Sequence, residues 1–477
     1  MTGVRTPQDQ WPAVASRLVA DGAPEVFITE VARQYQSLVA GQAGFIREAD
    51  ITPVTDLPAY DAIDEVTPLG QAALGQLAVL KLNGGLGTNM GLRGPKSLLP
   101  IRGSASFLDL ILDQLVSLRR STGASLPLVL MNSTATDEAT GAFLARRAEA
   151  DPDQAVPLTV LQHRLPKLSA ERLGPVDWPA EPELAWAPPG HGDLYLTLLS
   201  SGLLETFLTD EIRYLFVSNA DNLGATVDPT LLGALIQGQH PFLMEVAERT
   251  EADRKGGHLA RGLDGRLLLR EVAQCLPADE PAFQDITRHR AFNTNSLWLD
   301  LSAVKERLAA GPLNLPVIVN RKTVDPTDPT SLAVVQLETA MGSAIHEFPG
   351  AVAVQVPRAR FVPVKKTTDL LAVRSDAYEL HAGQLRLHPS RSTGPIIRLD
   401  PKYYGLLADF EARFPMLPSL VACERLTVEG DVQFGPNVHL GGEVTIVNRS
   451  DVQHTITHAV LKDETIEFSE PSRFTAS

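Results

Sequence analysis

Cysteine is scarce in this chain of 477 residues, and it has neither long apolar runs nor an excess of positive charge. Its two cysteines, Cys275 and Cys423, cannot build a disulfide framework or a CxxC pair, so we expect a reducing, cytoplasmic setting. No apolar run approaches the roughly 20 residues that span a bilayer. The start, MTGVRTPQDQW, has no apolar signal segment. We therefore expect neither export nor a membrane partner.

The charge balance argues against another class of function. The chain has 57 acidic and 42 basic residues, a net charge of −15. Proteins that coat nucleic acid need a broad basic surface, so we expect no nucleic-acid partner, although a local basic pocket remains open. With 44% hydrophobic residues, the composition is that of a globular protein, long enough for about two to four domains.

Three stretches with different patterns divide the chain. Residues 1–70 contain one amphipathic helix near Pro24–Leu38 and a proline-punctuated stretch, which we interpret as a helical and extended segment packed on the core. Residues 71–400 have the pattern of an α/β catalytic domain. Residues 401–477 are predicted to form a C-terminal β domain with a tail.

Five short apolar runs alternate with helical segments in the first part of the predicted catalytic domain. The runs are continuous rather than alternating, which is typical of strands buried on both faces of a parallel sheet. The first helix between them starts with a capping box at Ser106 and Asp109, which completes a βαβ unit. The runs are Leu77–Leu82, Leu128–Asn132, Val156–Gln162, Tyr214–Asn219 and Phe242–Val246.

The later part of the chain carries two further patterns. A turn at Leu263–Gly265 predicts a hairpin, and helices are expected near Ser302–Leu308 and Glu338–His346. After Pro415, apolar residues recur every six positions, which predicts a hexapeptide β-helix, with a β-meander as the alternative. The two series are Leu426, Val432, Val438 and Val444, and Val428, Phe434, Leu440 and Ile446.

The glycine-rich segment Lys81–Ser97 follows the first predicted strand directly. Its glycines permit positive φ, so the backbone can bend around a ligand and present N–H groups to phosphate. Pro95 stands where a P-loop has glycine, and Gly91 comes one residue too late for GxGxxG. With Lys96 at its end, the segment predicts a nucleotide triphosphate cradle of another type; a purely structural loop is the alternative.

Two motifs after this loop carry single candidate residues. His191, in the turn Pro188–Asp193, has no metal partner at ligand spacing and is expected to donate a hydrogen bond to phosphate. Asp221 follows the strand Tyr214–Asn219, at the sheet edge where α/β proteins bind ligands. One carboxylate there can hold Mg²⁺ together with substrate phosphates, or it can cap a turn.

Cations and an amide complete the set of candidates. Four cations lie within nine residues near the end of the predicted catalytic domain. They could form a solvated strand edge or bind phosphate groups of the substrates. Gln162 ends a predicted strand, and its amide can pair with a donor and an acceptor on a uracil edge. The four cations are Arg358, Arg360, Lys365 and Lys366.

The segment LNGGLGTNMGLRGPKS resembles the signature of the eukaryotic-type UTP–glucose-1-phosphate uridylyltransferases, also called UDP-glucose pyrophosphorylases. The resemblance extends from about Ile51 to about Glu467. It implies a Rossmann-like, mostly parallel mixed sheet of the nucleotide-diphospho-sugar transferase type and a C-terminal left-handed β-helix. The other matching segments, in order, are LVLMNS at Leu128, PPGHGD at Pro188, FVSNADNLGAT at Phe216, FNTNSLW at Phe292, QLETAMG at Gln336 and VPRARFVPVKKTTDLL at Val356.

The resemblance also implies an activity: reversible, Mg²⁺-assisted conversion of UTP and glucose 1-phosphate into UDP-glucose and pyrophosphate. It assigns Lys96 and Lys365 to catalysis and Asp221 to the metal. The family has one essential lysine after the PV dipeptide, so Lys366 competes with Lys365. Sugar-phosphate contacts are expected from His191, Asn219 and Asn293. Nucleotide contacts are expected from Leu82, Asn83, Gly84, Gly85, Lys96, Gln162, Gly190, Asp221 and Lys365.

Other functions stay open at this point. A related pyrophosphorylase could use galactose 1-phosphate or an N-acetylhexosamine 1-phosphate, because a few pocket contacts decide the sugar. A nicotinamide oxidoreductase is disfavoured by the spacing of the glycines. A non-catalytic sugar-nucleotide sensor is disfavoured because Lys96, Asp221 and Lys365 are all present. A homo-oligomer is a further possibility, and the sequence does not decide the role of the C-terminal domain.

Overall fold

The computed structural model describes residues 10–41, 44–151, 155–469 and 473–474. The first nine residues, on which the expectation of no signal segment partly depends, lie outside the described residues. Among the described residues, no helix combines the length and the apolar character needed to cross a bilayer.

The strands of the described residues are numbered here in chain order. They are Ile51–Pro53 (β1), Leu77–Leu82 (β2), Pro100–Arg102 (β3), Ala105–Ser106 (β4), Leu128–Asn132 (β5), Leu158–Leu161 (β6), Leu165–Pro166 (β7), Leu168–Ser169 (β8), Trp186–Ala187 (β9), Tyr214–Asn219 (β10), Phe242–Glu248 (β11), His258–Gly262 (β12), Leu267–Arg270 (β13), Ala291–Asp300 (β14), Ile318–Thr323 (β15), Ala333–Glu338 (β16), Val352–Gln355 (β17), Tyr378–His381 (β18), Gln384–Leu387 (β19), Ile396–Leu399 (β20), Ser419–Glu429 (β21), Val432–Phe434 (β22), Val438–Asn448 (β23), His454–Ile456 (β24), Ala459–Phe468 (β25) and Arg473–Phe474 (β26).

The α-helices of the same residues are numbered likewise. They are Trp11–Ala20 (α1), Glu25–Val39 (α2), Thr67–Ala73 (α3), Phe107–Thr122 (α4), Thr134–Ala150 (α5), Leu194–Ser200 (α6), Leu203–Thr209 (α7), Pro229–Gln237 (α8), Glu280–Phe283 (α9), Leu301–Ala309 (α10), Thr367–Arg374 (α11), Pro401–Tyr404 (α12) and Leu407–Arg413 (α13).

A mixed sheet forms the centre of the molecule and confirms the predicted α/β class. Strand β2 lies between β5 and β10 and is parallel to both, and β6 extends the parallel set beyond β5. Strand β14 lies antiparallel between β10 and β11. Side chains of β2 and β10 enter a separate apolar cluster on each face of the sheet, which is why these strands read as continuous apolar runs.

The edge strand β6 departs from the prediction of burial on both faces. Leu158 and Leu161 are each 49% exposed. The reason is its position, because β6 is the last strand in the sheet order and is paired on one side only. The prediction for Val156–Gln162 was therefore right about the strand and wrong about its burial.

The predicted helices are confirmed where local signals are strong. The capping box of α4 is present, with Asp109 N donating to Ser106 Oγ at 3.2 Å and Ser106 N donating to Asp109 Oδ2 at 2.9 Å. The helix predicted near Pro24–Leu38 is α2, and the one near Ser302–Leu308 is α10. The N-terminal segment also contains α1 and α3, which were not predicted. Helix α1 buries only two apolar side chains, Val14 and Leu18, so its periodicity is weak.

The helix predicted at Glu338–His346 is wrong in its first half. Glu338 is the last residue of β16, and a 3₁₀ helix runs over Met341–Glu347. Thr339 between them is held by backbone hydrogen bonds, with its N donating to Pro189 O and its O accepting from Gly192 N. The hairpin predicted at Leu263–Gly265 is confirmed, since it joins the antiparallel strands β12 and β13.

The C-terminal strands pair in parallel, which excludes a β-meander among the described residues. One sheet contains β20, β21, β23 and β25, and another contains β22, β24 and β26. Leu426 is paired with Val444 and Val428 with Ile446, three six-residue periods further along. All four side chains are buried, so the period places both apolar series in the core.

Candidate functional site

The candidate residues meet at one edge of the central sheet. The parallel strands β2, β5, β6 and β10 all end there, and Leu82 at the end of β2 is paired with Asn219 at the end of β10. Strand β14 runs the other way, so its amino-terminal part reaches the same edge, where Asn293 is paired with Val246 of β11. The antiparallel strand thus adds a residue to an edge otherwise built from strand ends.

Among the glycines of the loop after β2, Gly84 and Gly87 provide space for neighbouring side chains, whereas Gly85 and Gly94 face open space. Gly91 alone among them, all within the described residues, has a positive φ of +74°. The other four glycines, Gly84, Gly85, Gly87 and Gly94, would permit a positive φ but do not adopt one. A Cβ on Gly84 would lie 2.6 Å from Nε2 of Gln162, so the glycine lets this amide lie across the loop.

Buried amides hold the start of this loop. Asn83 is 3% exposed, and its Nδ2 donates to Asn132 Oδ1 at 2.8 Å and to Thr140 Oγ1 at 3.0 Å. Its backbone N donates to Met131 O at 2.7 Å. The loop backbone next to Gln162 is therefore fixed by neutral side chains below it rather than by charge.

Lys96 and Asp221 form an ion pair at the other end of the loop. Lys96 Nζ donates to Asp221 Oδ2 at 2.6 Å, and Lys96 N donates to Gly85 O at 3.1 Å. Asp221 Oδ1 is buried and has no hydrogen-bond partner among the described residues. A carboxylate oxygen in this state suits a hard cation such as Mg²⁺. The residues described include no group of three His, Cys, Asp or Glu side chains able to enclose a metal, so substrate oxygens would complete the shell.

The segment before α11 is docked on the Asp221 turn. Asn222 Oδ1 accepts from Val362 N at 2.9 Å, and Val364 N donates to Asp221 O at 3.2 Å. This pairing brings the exposed Lys365 to the turn that carries Asp221. Sequence reasoning missed Asn222, although it lies within the motif that contains Asp221.

Asp369 holds the backbone of both Lys365 and Lys366. Its Oδ2 accepts from the backbone N of both lysines, at 2.7 and 2.9 Å. Burial raises the pKa of the Asp369 carboxyl, and the charges of Lys96 and Lys365 oppose that rise. Lys365 Nζ also lies 6.0 Å from the centroid of the Phe361 ring. The side chain of Lys365 therefore belongs to the charged group around Lys96.

The two arginines of the predicted cation group are engaged elsewhere. Arg360 is 8% exposed, and its Nε donates to Glu245 Oε2 at 2.6 Å. Arg358 is paired with Asp253 at 2.8 Å. Both arginines are thus paired with carboxylates, and the phosphate-binding interpretation stays open for Lys365 and Lys366.

Glu271 is an acid that sequence reasoning missed. Burial raises the pKa of its carboxyl, and the charge of Lys365 opposes that rise. A Cβ on Gly257 would lie 2.5 Å from Glu271 Oε1, and Gly257 O accepts from Asn293 N at 3.1 Å. Its position directly after the apolar run of β13, like that of Asp221 after β10, was the available signal.

His191 is held as a hydrogen-bond donor. Its Nδ1 accepts from Met341 N at 3.0 Å, and burial lowers the pKa of the ring to about 4. The neutral ring therefore carries its proton on Nε2. Gly190 before it has φ +79°, and a Cβ there would lie 2.5 Å from Thr339 O, so only glycine fits.

Contacts join these elements into a ring, called the site ring below, which the electrostatic interaction between Lys365 and Glu271 closes. Gly342, next to Met341, would place a Cβ 3.1 Å from Asn293 Nδ2, which joins the His191 turn to Asn293. The turn returns to Gln162 through its neighbour His163, whose N donates to Asp193 at 2.8 Å. In order, the ring contains Gln162, Gly84, Gly85, Lys96, Asp221, Val364, Lys365, Glu271, Gly257, Asn293, Gly342, Met341, His191, Asp193 and His163.

Comparisons with known proteins identify the family of this chain. The family model described as UTP–glucose-1-phosphate uridylyltransferase matches residues 28–441. The UTP–glucose-1-phosphate uridylyltransferase of Hordeum vulgare is 40% identical over 92% of this chain and 92% of its own length. A mutant UDP-glucose pyrophosphorylase from Leishmania major, solved in complex with UDP-glucose, is 40% identical with a TM-score of 0.88 over 96% of this chain and 99% of that one. A Trypanosoma brucei structure titled UDP-glucose phosphorylase is 42% identical, with a TM-score of 0.89 over 96% and 100% of the two chains. This chain belongs to the UTP–glucose-1-phosphate uridylyltransferase family.

Proposed function

We propose that this enzyme converts UTP and glucose 1-phosphate reversibly into UDP-glucose and pyrophosphate. The observation that carries the proposal is the site ring, in which a nucleotide loop, an acid with an unpartnered oxygen and two lysines share one sheet edge. The relatives are named for this reaction, and the Leishmania major protein holds UDP-glucose, its product.

The chemistry needs positioning and charge stabilisation more than a protein nucleophile. A phosphate oxygen of glucose 1-phosphate attacks the α-phosphorus of UTP in line, and pyrophosphate leaves. Lys96 and Lys365 stabilise the negative charge on the phosphates during this transfer. Because Lys96 is already paired with Asp221, its ammonium group is positioned before substrate arrives.

Mg²⁺ fits the free oxygen of Asp221, with phosphate oxygens as its remaining ligands. When bound, it neutralises phosphate charge. Removal of the metal should abolish turnover while leaving the Lys96–Asp221 pair intact.

The remaining site residues bind the two substrates. We assign the nucleotide to the backbone of Leu82, Asn83, Gly84 and Gly85, with the uracil edge read by Gln162 and further contacts from Gly190. The sugar phosphate is assigned to His191, Asn219 and Asn293. Glu271 is added here as a hydrogen-bonding partner of the sugar, because it lies between Lys365 and the Gly257–Asn293 contact.

The architecture carries finer proposals. We propose a Rossmann-like catalytic core over 71–400, an N-terminal segment over 1–70 packed on it, and a left-handed β-helix domain over 401–477. Parallel pairing at three six-residue periods supports the β-helix. We also propose a cytoplasmic location and a homo-oligomer.

One assay tests the function. Pyrophosphate release is measured with and without Mg²⁺, across UTP, CTP and ATP and across glucose, galactose and N-acetylglucosamine 1-phosphates. We expect UTP with glucose 1-phosphate to give the highest specificity constant, and only with the metal present. Equal use of ATP would overturn the uridylyl assignment. Equal use of another sugar 1-phosphate would change the assignment to a pyrophosphorylase of broader sugar specificity.

A further inference from the structure

His163 and Asp193 join the two sides of the proposed nucleotide site. His163 directly follows Gln162, and Asp193 lies two residues after His191. His163 N donates to Asp193 Oδ2 at 2.8 Å, and His163 Nδ1 lies 2.8 Å from Asp193 Oδ1. The residue after the proposed base reader is therefore bound through both its backbone and its ring.

The Asp193 carboxylate is buried and fully hydrogen-bonded, which fixes its contacts with His163. Its side chain is 1% exposed, and Oδ2 also accepts from Thr197 Oγ1 at 2.9 Å. A carboxylate only accepts, so Nδ1 of His163 is the donor in the second bond. Loss of that donor would leave a buried carboxylate oxygen without a partner, which is costly.

The ring of His163 is also held from the N-terminal segment. Phe27 of α2 stacks on it with centroids 4.4 Å apart and planes inclined by 14°. Phe27 is 1% exposed, so the stack lies in the core. Nε2 on the far side of the ring lies 3.1 Å from the exposed Ser200 Oγ. Packing and the carboxylate thus fix one ring orientation.

We propose that His163 is a positioning residue for base recognition, which holds Gln162 in register with the His191 turn through Asp193. The inference rests on the proposed function, since it assumes that Gln162 reads uracil. Gln162 N donates to Asn132 O at 2.8 Å, so β5 restrains the residue on one side, and His163 restrains it on the other. The inference adds a role for α2, which contributes Phe27 to the support of the nucleotide site.

Three substitutions separate positioning from packing. His163→Asn keeps an amide donor where Nδ1 stands and can still reach Asp193. His163→Gln places its amide nearer the position of Nε2 and loses the hydrogen bond to Asp193 Oδ1. His163→Ala removes both groups. Ser200→Ala is the matched control, because it removes only the partner of Nε2 at the surface.

Initial rates with UTP and CTP and unfolding midpoints of each variant give the readout. We expect His163→Ala and His163→Gln to raise the KM for UTP about tenfold, the effect of losing one bond to a buried charge. The UTP/CTP ratio of kcat/KM should narrow, while the KM for glucose 1-phosphate and kcat change less than twofold. His163→Asn should keep the UTP/CTP ratio of kcat/KM close to that of the wild type, and Ser200→Ala should leave all of these values unchanged.

The outcomes against the inference are distinct from failure of the proposed function. An intact UTP/CTP ratio in His163→Gln would overturn the inference alone. If the His163 variants raise the KM for UTP and the KM for glucose 1-phosphate equally and lower the unfolding midpoint, His163 has only a structural role. If His163→Ala does not fold, the comparison of the Asn and Gln variants still decides. A wild type without preference for UTP would overturn the proposed function and this inference together.

Discussion

The base end and the phosphate end of the site ring are built in different ways. At the base end, buried neutral side chains such as Asn83 and Asn132 hold a backbone loop in shape. At the phosphate end, the charged side chains of Lys96, Asp221 and Lys365 are partly or fully exposed. Under the proposed function, the difference teaches that recognition of the base depends on a rigid surface, whereas transfer depends on charges that reach the phosphates.

The largest expected effect tests the phosphate end. Lys365→Ala should lower kcat by about 10²–10³-fold, because one charge-stabilising contact in a transition state is worth about 3–4 kcal/mol. The unfolding midpoint should stay close to that of the wild type, since Lys365 is exposed. Lys366→Ala is the matched control. If only the Lys366 variant loses turnover, the assignment is wrong by one residue.

The next effect concerns the metal. Asp221→Asn keeps the shape of the side chain and removes the charge paired with Lys96. The apparent affinity for Mg²⁺ should fall at least as much as the roughly 10–100-fold that loss of an outer-shell partner costs. Activity is titrated with Mg²⁺ at saturating substrates. An unchanged midpoint of that titration would remove Asp221 from the metal site.

A third prediction addresses the rigidity of the base end. Asn83→Ala leaves Asn132 Oδ1 without this donor in a buried site, which should lower the free energy of unfolding by about 1–3 kcal/mol. Urea titration measures this loss, and initial rates measure the KM for UTP, which should rise more than kcat falls. A variant as stable as the wild type would show that the loop does not need this amide.

Removal of the base reader should have a smaller effect. Gln162→Ala should narrow the UTP/CTP ratio of specificity constants by about tenfold, since a site built on hydrogen bonds rejects a base that leaves them unpaired. Turnover at saturating UTP should change less than in Lys365→Ala. An intact ratio would mean that backbone or another residue reads uracil.

A pH dependence of stability is expected at His191. Burial lowers its pKa from 6.5 to about 4 in the folded chain. Between these values the unfolded chain binds a proton that the folded chain does not, so stability falls as the pH falls from 6.5 to about 4. One proton contributes at most about 1.4 kcal/mol per pH unit. Urea titrations across this pH range measure the free energy of unfolding. Its dependence on pH should be weaker in His191→Asn, which keeps an acceptor for Met341 N. A slope equal to that of the wild type would contradict the assignment.

Sequence patterns predicted the elements whose cause is local. The bounds of β2, β5 and β10 follow from continuous apolar runs, and α4 follows from its capping box. Exposure of β6 and the extended backbone at Thr339 arise from distant neighbours, so local patterns could not predict them.

The same division applies to the site. Motif residues such as Lys96 and Asp221 could be found by their position in the sequence. Glu271 also has such a position, directly after β13, but its electrostatic link to Lys365, like that of Asp369, arises only in the fold. Arg360 shows the opposite error, in which a residue that the sequence offers as a site candidate has a structural partner. That partner, the buried Glu245, lies 115 positions away in the chain.

The antiparallel insertion of β14 has a consequence for the order of folding. Strands β10 and β11 are made earlier than the strand that must lie between them, so the sheet cannot close until residue 300 has been synthesised. Until then, both strands carry unpaired edges that can join another chain. Chains truncated before residue 291 should therefore aggregate. In longer nascent chains β14 pairs with both strands, and β17 then pairs with the other edge of β11, before Lys365 and the C-terminal strands emerge.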